Sequence, residues 1–181
     1  MPGNRVAIAD NIRMTTSFDS LIVAQDLVQQ CQQLHQQGIS ALAQACQSPR
    51  GLSVDGLDEH QLLSYEMAWT SAELLAAHIA LEQVALDPDS LDAELALVFT
   101  VDAITAVLPR LEMLFLELSL DASPLHQLCA GASWTDLRRA VVSEAALART
   151  GQRLQASQVE IARVQLDESI RMVQESFQRF G

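Results

Sequence analysis

The chain has 181 residues, 49% of them hydrophobic and only 4% aromatic, with a net charge of −12 and a sequence pI near 4.5. All eleven cations are arginine, and they are scattered. This excludes the clustered cations that displace counterions from nucleic acid, the basic stripe of a helix lying on anionic lipid, and any lysine Schiff base or phosphate-loop lysine.

Residues 1–16 show weak periodicity and are expected to form a flexible N-terminal arm. Ser17 is placed to cap a first helix over residues 18–37. Its apolar positions Leu21, Ala24, Leu27, Val28, Cys31 and Leu34 recur at three- and four-residue steps, and glutamines fill the opposite face. Gly38 suits the position just past a helix end. A short helix over residues 39–47 follows, and SPRGLSVDG, residues 48–56, reads as a loop.

The stretch LDEHQLLSYEMAWTSAELLAAHIALEQVAL, residues 57–86, has no Gly or Pro and is apolar on most faces. It is expected to be the central helix, over residues 58–86, buried among its neighbours. Asp58 and Gln61 have the spacing of a capping box. Asp87-Pro88-Asp89 closes this helix and opens another, with Pro88 in the first turn. That helix spans residues 88–107 and is kinked or broken at Pro109 before a second part over residues 110–120.

Ser123-Pro124 opens a short helix ending before Gly131. Ser133 is placed to cap a further helix over residues 133–150, which Gly151 interrupts. Residues 152–165 are helical by propensity. Asp167 opens a last helix within residues 166–181. No alternating strand pattern is present. The fold class is therefore all-α, a multi-helix bundle over residues 17–165 with a long buried central helix. Helices 18–37, 88–118 and 133–150 are expected to pack around it.

Cys31, Cys46 and Cys129 are far apart and form no CxxC, which suits reduced thiols. No secretory signal is evident, and Leu95 to Leu118 is interrupted by Asp102, Pro109, Arg110, Glu112 and Glu117, so no membrane span is expected. These features place the chain in the cytoplasm.

Candidate chemistry is sparse. Glu59, Glu66 and Glu73 recur at seven residues, about two helical turns, and are expected to share one stripe. A di-iron bundle would also need Glu-x-x-His motifs, and there are none. The stripe therefore reads as a solvated or interface-facing edge. His60 is expected to be exposed, and His78 can pair with Glu82 four residues on. Cys31 and His35 could touch, but no third group completes a nucleophile. Asp102 and Glu112 interrupt apolar sequence near Pro109 and are expected to point outward. Tyr65, Trp69, Ala72 and Ala76 have the spacing of core packing. No glycine-rich phosphate cradle occurs.

Two segments resemble members of the acyl-CoA dehydrogenase superfamily that carry a helical domain ahead of the catalytic part, as in the methylsuccinyl-CoA dehydrogenase type. In residues 57–82 the resemblance lies in Asp58, His60, Gln61, Tyr65, Ala68 and Trp69. Residues 166–181, LDESIRMVQESFQRFG, are similar to the opening helix of an acyl-CoA dehydrogenase N-terminal domain, with Ser176, Phe177 and Phe180 in matching places. The resemblance implies a non-catalytic accessory domain that packs on a flavin-dependent dehydrogenase part or mediates oligomer contacts. FAD would belong to that catalytic partner, since the family's flavin contacts, acyl-CoA pocket and catalytic glutamate lie beyond Gly181. No catalytic, cofactor-binding or metal residue is assigned here. The other expectation is a free-standing scaffold protein, homodimeric through the Leu95–Leu118 surface, with no nucleic-acid or membrane partner.

Overall fold

A computed structural model describes residues 17–49 and 51–157. The expected arm over residues 1–16 and terminal helix over residues 166–181 lie outside them. Seven helices and one two-stranded ribbon occur among the described residues. They are α1 (Ser17–Ala45), β1 (Gln47–Ser48), β2 (Gly51–Leu52), α2 (Val54–Glu59), α3 (Gln61–Val84), α4 (Leu91–Glu117), α5 (Ser123–Ala130), α6 (Ala132–Val142) and α7 (Glu144–Ala156). The all-α bundle is thus observed. Its centre is the mutual packing of α1, α3 and α4, with α5 and α6 laid against α1 and α4, and α7 against α4 and α6.

Helix α1 does not stop at Gly38 but runs on to Ala45. A glycine inside a helix is unfavourable, so something must require it. The requirement is α4: Leu114 packs directly over Gly38, and a Cβ there would meet the end of that side chain unless it shifted. The buried stripe is otherwise as the spacing predicts, with Leu21, Ala24, Leu27, Val28, Cys31 and Leu34 in the core.

The described residues of the expected loop, 48–49 and 51–56, are more regular than a loop. Gln47 pairs with Leu52 and Ser48 with Gly51 in an antiparallel ribbon, and Gly51 turns the chain at φ +106°. Ser53 then caps α2, its hydroxyl accepting from Gly56 N at 3.3 Å.

The expected central helix over residues 58–86 is divided. His60, at φ −108° and ψ 25°, separates α2 from α3, and the Asp58–Gln61 capping box does not form. Ser53 has taken the cap five residues upstream, so Asp58 lies near the end of α2 rather than at a start. Nor is α3 the most buried helix. That place belongs to α4, where eleven side chains including Val101, Ile104, Leu111 and Phe115 are enclosed.

Helix α4 begins at Leu91, capped by Ser90, whose hydroxyl accepts from Ala93 N at 3.1 Å. Pro88 stays outside it. The helix passes unbroken through Pro109 to Glu117. Pro109 and Thr105 are exposed, so the Thr105 carbonyl that loses its helical donor can be solvated instead. Helix α6 starts from Gly131 and not Ser133. The break expected at Gly151 falls instead at Ser143, whose hydroxyl caps α7 by accepting from Ala146 N. Gly151 lies inside α7. No described helix is long and apolar enough to cross a membrane.

Candidate interaction surface

Helix α3 carries two interleaved seven-residue patterns. Leu63, Met67, Thr70, Leu74, Ala77 and Leu81 face α1 and α4 and are buried. Leu62, Tyr65, Trp69, Ala72, Ala76 and Ile79 recur at steps of three, four, three, four and three, and all are exposed. The two sets differ by about two residues, or roughly 200° around the helix, so they lie on opposite faces. Leu62, Tyr65, Trp69, Leu75 and Ile79 are between 43% and 64% exposed. The rings of Tyr65 and Trp69 meet edge to face at 6.3 Å.

This corrects the expectation that Tyr65, Trp69, Ala72 and Ala76 pack in the core. A helix apolar on nearly all faces needs cover all round. Helices α1 and α4 cover one face of α3, and no described element of the chain covers the other. The two interleaved patterns were present in the sequence. What the sequence could not show is how many neighbours this helix finds.

One edge of the exposed face is fixed by Arg110 of α4. Its Nε lies 2.9 Å from Glu66 Oε2 and its Nη1 2.5 Å from Glu73 Oε2, with all three side chains about a quarter exposed. Glu66 and Glu73 therefore act as an interhelical clamp. Glu59 is excluded, because the break at His60 places it on α2. Arg110, on another helix, is a partner that spacing within α3 does not reveal. Its signal was a lone cation inside the most apolar stretch of the chain.

The other candidates find structural roles. His35 is buried, its Nε2–H donating to the Met67 carbonyl at 3.0 Å, and burial holds its pKa below the ordinary 6.5. Burial, with Cys129 nearby, pushes the Cys31 thiol up to about 12, so it is no nucleophile at neutral pH. His78 does pair with Glu82, at 3.4 Å on exposed surface. His60 is only half-buried, whereas Asp102 and Glu112 point outward as expected. Thr70 is fully enclosed and its hydroxyl has no partner among the described residues. A crevice beside Glu94, Ser20 and Arg149 holds about 160 Å³, below the ~300 Å³ and upward typical of ligand pockets, while a larger groove of about 610 Å³ runs beside Pro109, Leu116 and His126. No set of three or more His, Cys, Asp or Glu among the described residues converges as metal ligands would.

No family model matches this chain, and the curated proteins yield no match. The function must be argued from the surface itself. Of the nine residues that carry the acyl-CoA dehydrogenase resemblance, Ser176, Phe177 and Phe180 lie outside the described residues, and the six within residues 57–82 all stand outside the core. Asp58, Gln61, Tyr65, Ala68 and Trp69 are exposed and His60 is half-buried.

Proposed function

We propose that this chain is a non-catalytic helical accessory domain of an acyl-CoA dehydrogenase-type flavoprotein, serving to pack on the catalytic part or to hold oligomer contacts. The observation that carries the reading is the exposed apolar face of α3. The chain keeps Tyr65 and Trp69 out of its own core, and these are among the residues in which it resembles the family. A surface of this kind docks a helix or a domain; it does not perform a reaction. FAD, in this reading, is held by the partner.

The test is to tag the chain in its own host and analyse what co-purifies, while reading the transcript beyond the Gly181 codon. A bound dehydrogenase with flavin absorbance, or a frame running on into a flavin-binding domain, supports the reading. A stop codon together with no flavoprotein in the purified complex overturns it.

The second reading is a free-standing scaffold that pairs with itself. The α3 face favours it as well. The Leu95–Leu118 surface does not serve, because most of α4 faces inward and leaves only Leu95, Phe99 and Leu116 as exposed large apolar side chains.

A further inference from the structure

The exposed face of α3 is self-complementary. Its six seam residues are evenly spaced about a point between Trp69 and Ala72, and the two inner pairs set a large side chain against a small one. If a second α3 lies antiparallel across that point, Trp69 meets Ala72, Tyr65 meets Ala76, and Leu62 meets Ile79. Each ring then falls on a methyl group, and each contact occurs twice. Large side chains opposite small ones let facing layers interdigitate. Contacts repeated in this way mark an isologous, two-fold interface. A partner of different sequence would not need the two halves of this one face to complement each other.

We propose that two copies of this chain associate through antiparallel packing of their α3 helices, with the two-fold axis passing between Trp69 and Ala72. The pairing stands on the α3 face alone; it agrees with the oligomer-contact form of the proposed function and competes with packing of a catalytic part on that same face.

The dimensions suit it. From Leu62 to Ile79 the seam runs about 26 Å at the helical rise, with the alternating three-four step of a coiled-coil strip. Half-exposed Tyr65 and Trp69 leave about 200 Å² open between them, given what aromatic side chains bury. Leu62, Leu75, Ile79 and the exposed Ala68, Ala72 and Ala76 bring the face to roughly 500 Å² per copy, or about 1,000 Å² for the pair, which reaches the lower bound for a specific interface. On one flank Ala68 meets Leu75 of the second copy. On the other, Glu66 and Glu73 approach their counterparts, and Arg110 in each copy already neutralises one charge of the two.

The experiment is sedimentation equilibrium on the full chain, with circular dichroism to confirm folding. A mass of twice the chain is expected. Trp69→Asp and Ala76→Asp, both on the surface, should each weaken association at least ~tenfold with helicity unchanged. Orientation is read by mixing two full chains, Tyr65→Cys and Ala76→Cys, both with Cys129→Ser. They should form a disulfide with each other and not with themselves. A monomeric full chain overturns the proposal, since the face is then covered within the chain, for example by residues 158–181, or by another protein. A dimer unmoved by both aspartates overturns it too, as does a disulfide within either chain population alone.

Discussion

Gly38 and Leu114 stand so close that a Cβ on residue 38 would lie 2.0 Å from Leu114 Cδ2. Leu114 is itself fully buried, so its end has nowhere to retreat. The glycine is the contact that lets α1 and α4 approach near their crossing.

Gly38→Ala sets two effects against each other. Helix propensity favours alanine by about 1 kcal/mol. Overpacking a rigid core costs typically about 1–3 kcal/mol, and a 2.0 Å approach belongs at the upper end. A net loss of about 1–2 kcal/mol is expected by urea denaturation, although most exposed helical glycines would gain from the same change. A more stable variant would mean that Leu114 can move aside.

Arg110 is the only cation holding Glu66 and Glu73 in the described contacts. At about a quarter exposed, the clamp lies between a surface pair, worth about 0–1 kcal/mol, and a buried pair whose breaking costs about 3–5 kcal/mol. Arg110→Met should therefore cost about 1–2 kcal/mol. Adding Glu66→Gln and Glu73→Gln to that variant should recover part of the loss, because two uncompensated acids are then removed. Additive losses in this cycle would show that the three groups do not act together.

How much of this was legible in the sequence depends on whether a feature is local. The α1 stripe from Leu21 to Leu34, the His78–Glu82 pair and the outward Asp102 and Glu112 follow from spacing within one helix, and the structure agrees. The division at His60 was missed because Ser53 and Asp58 both offer caps, and only the packing of α2 against Cys46 favours the earlier one. Gly38 read as a helix end because its reason, Leu114, is 76 residues away (114 − 38). The exposure of Tyr65 and Trp69 was missed for a different reason. Periodicity says which side chains share a face, but not whether a neighbour exists to cover it.

His35 gives the fold a pH dependence of defined sign. Burial lowers its folded-state pKa below 6.5, with the hydrogen bond to Met67 opposing in part. The unfolded chain therefore takes up the proton first as pH falls, and stability falls with it. The contribution is fully present above the unfolded value of 6.5, is lost as pH drops through that value toward the folded pKa, and then levels off. His35→Gln keeps a donor for the Met67 carbonyl and removes the titration. Between about pH 7.5 and about pH 5.5 the original chain should lose more unfolding free energy than this variant. Parallel losses would show that acid destabilisation comes from other groups.

Ser119 ends α4 in the left-handed region at φ 52°, the one described non-glycine residue with positive φ. The end is a Schellman arrangement: Leu120 N donates to Phe115 O at 2.8 Å and Ser119 N to Leu116 O at 3.2 Å. That geometry satisfies carbonyls which would otherwise be orphaned at the helix terminus, and it favours glycine at this position because a Cβ is strained there. Ser119 is exposed and its side chain has no hydrogen bond among the described contacts that glycine would forfeit. Ser119→Gly should therefore stabilise the chain by about 0.5–1 kcal/mol, the relief of left-handed strain outweighing the extra freedom gained by the unfolded chain. Ser119→Val, branched at Cβ, should do the opposite by a larger amount. Thermal unfolding of the two variants beside the original chain reads both signs. If glycine fails to gain and valine fails to lose, the turn after Leu118 does not hold the left-handed conformation in solution.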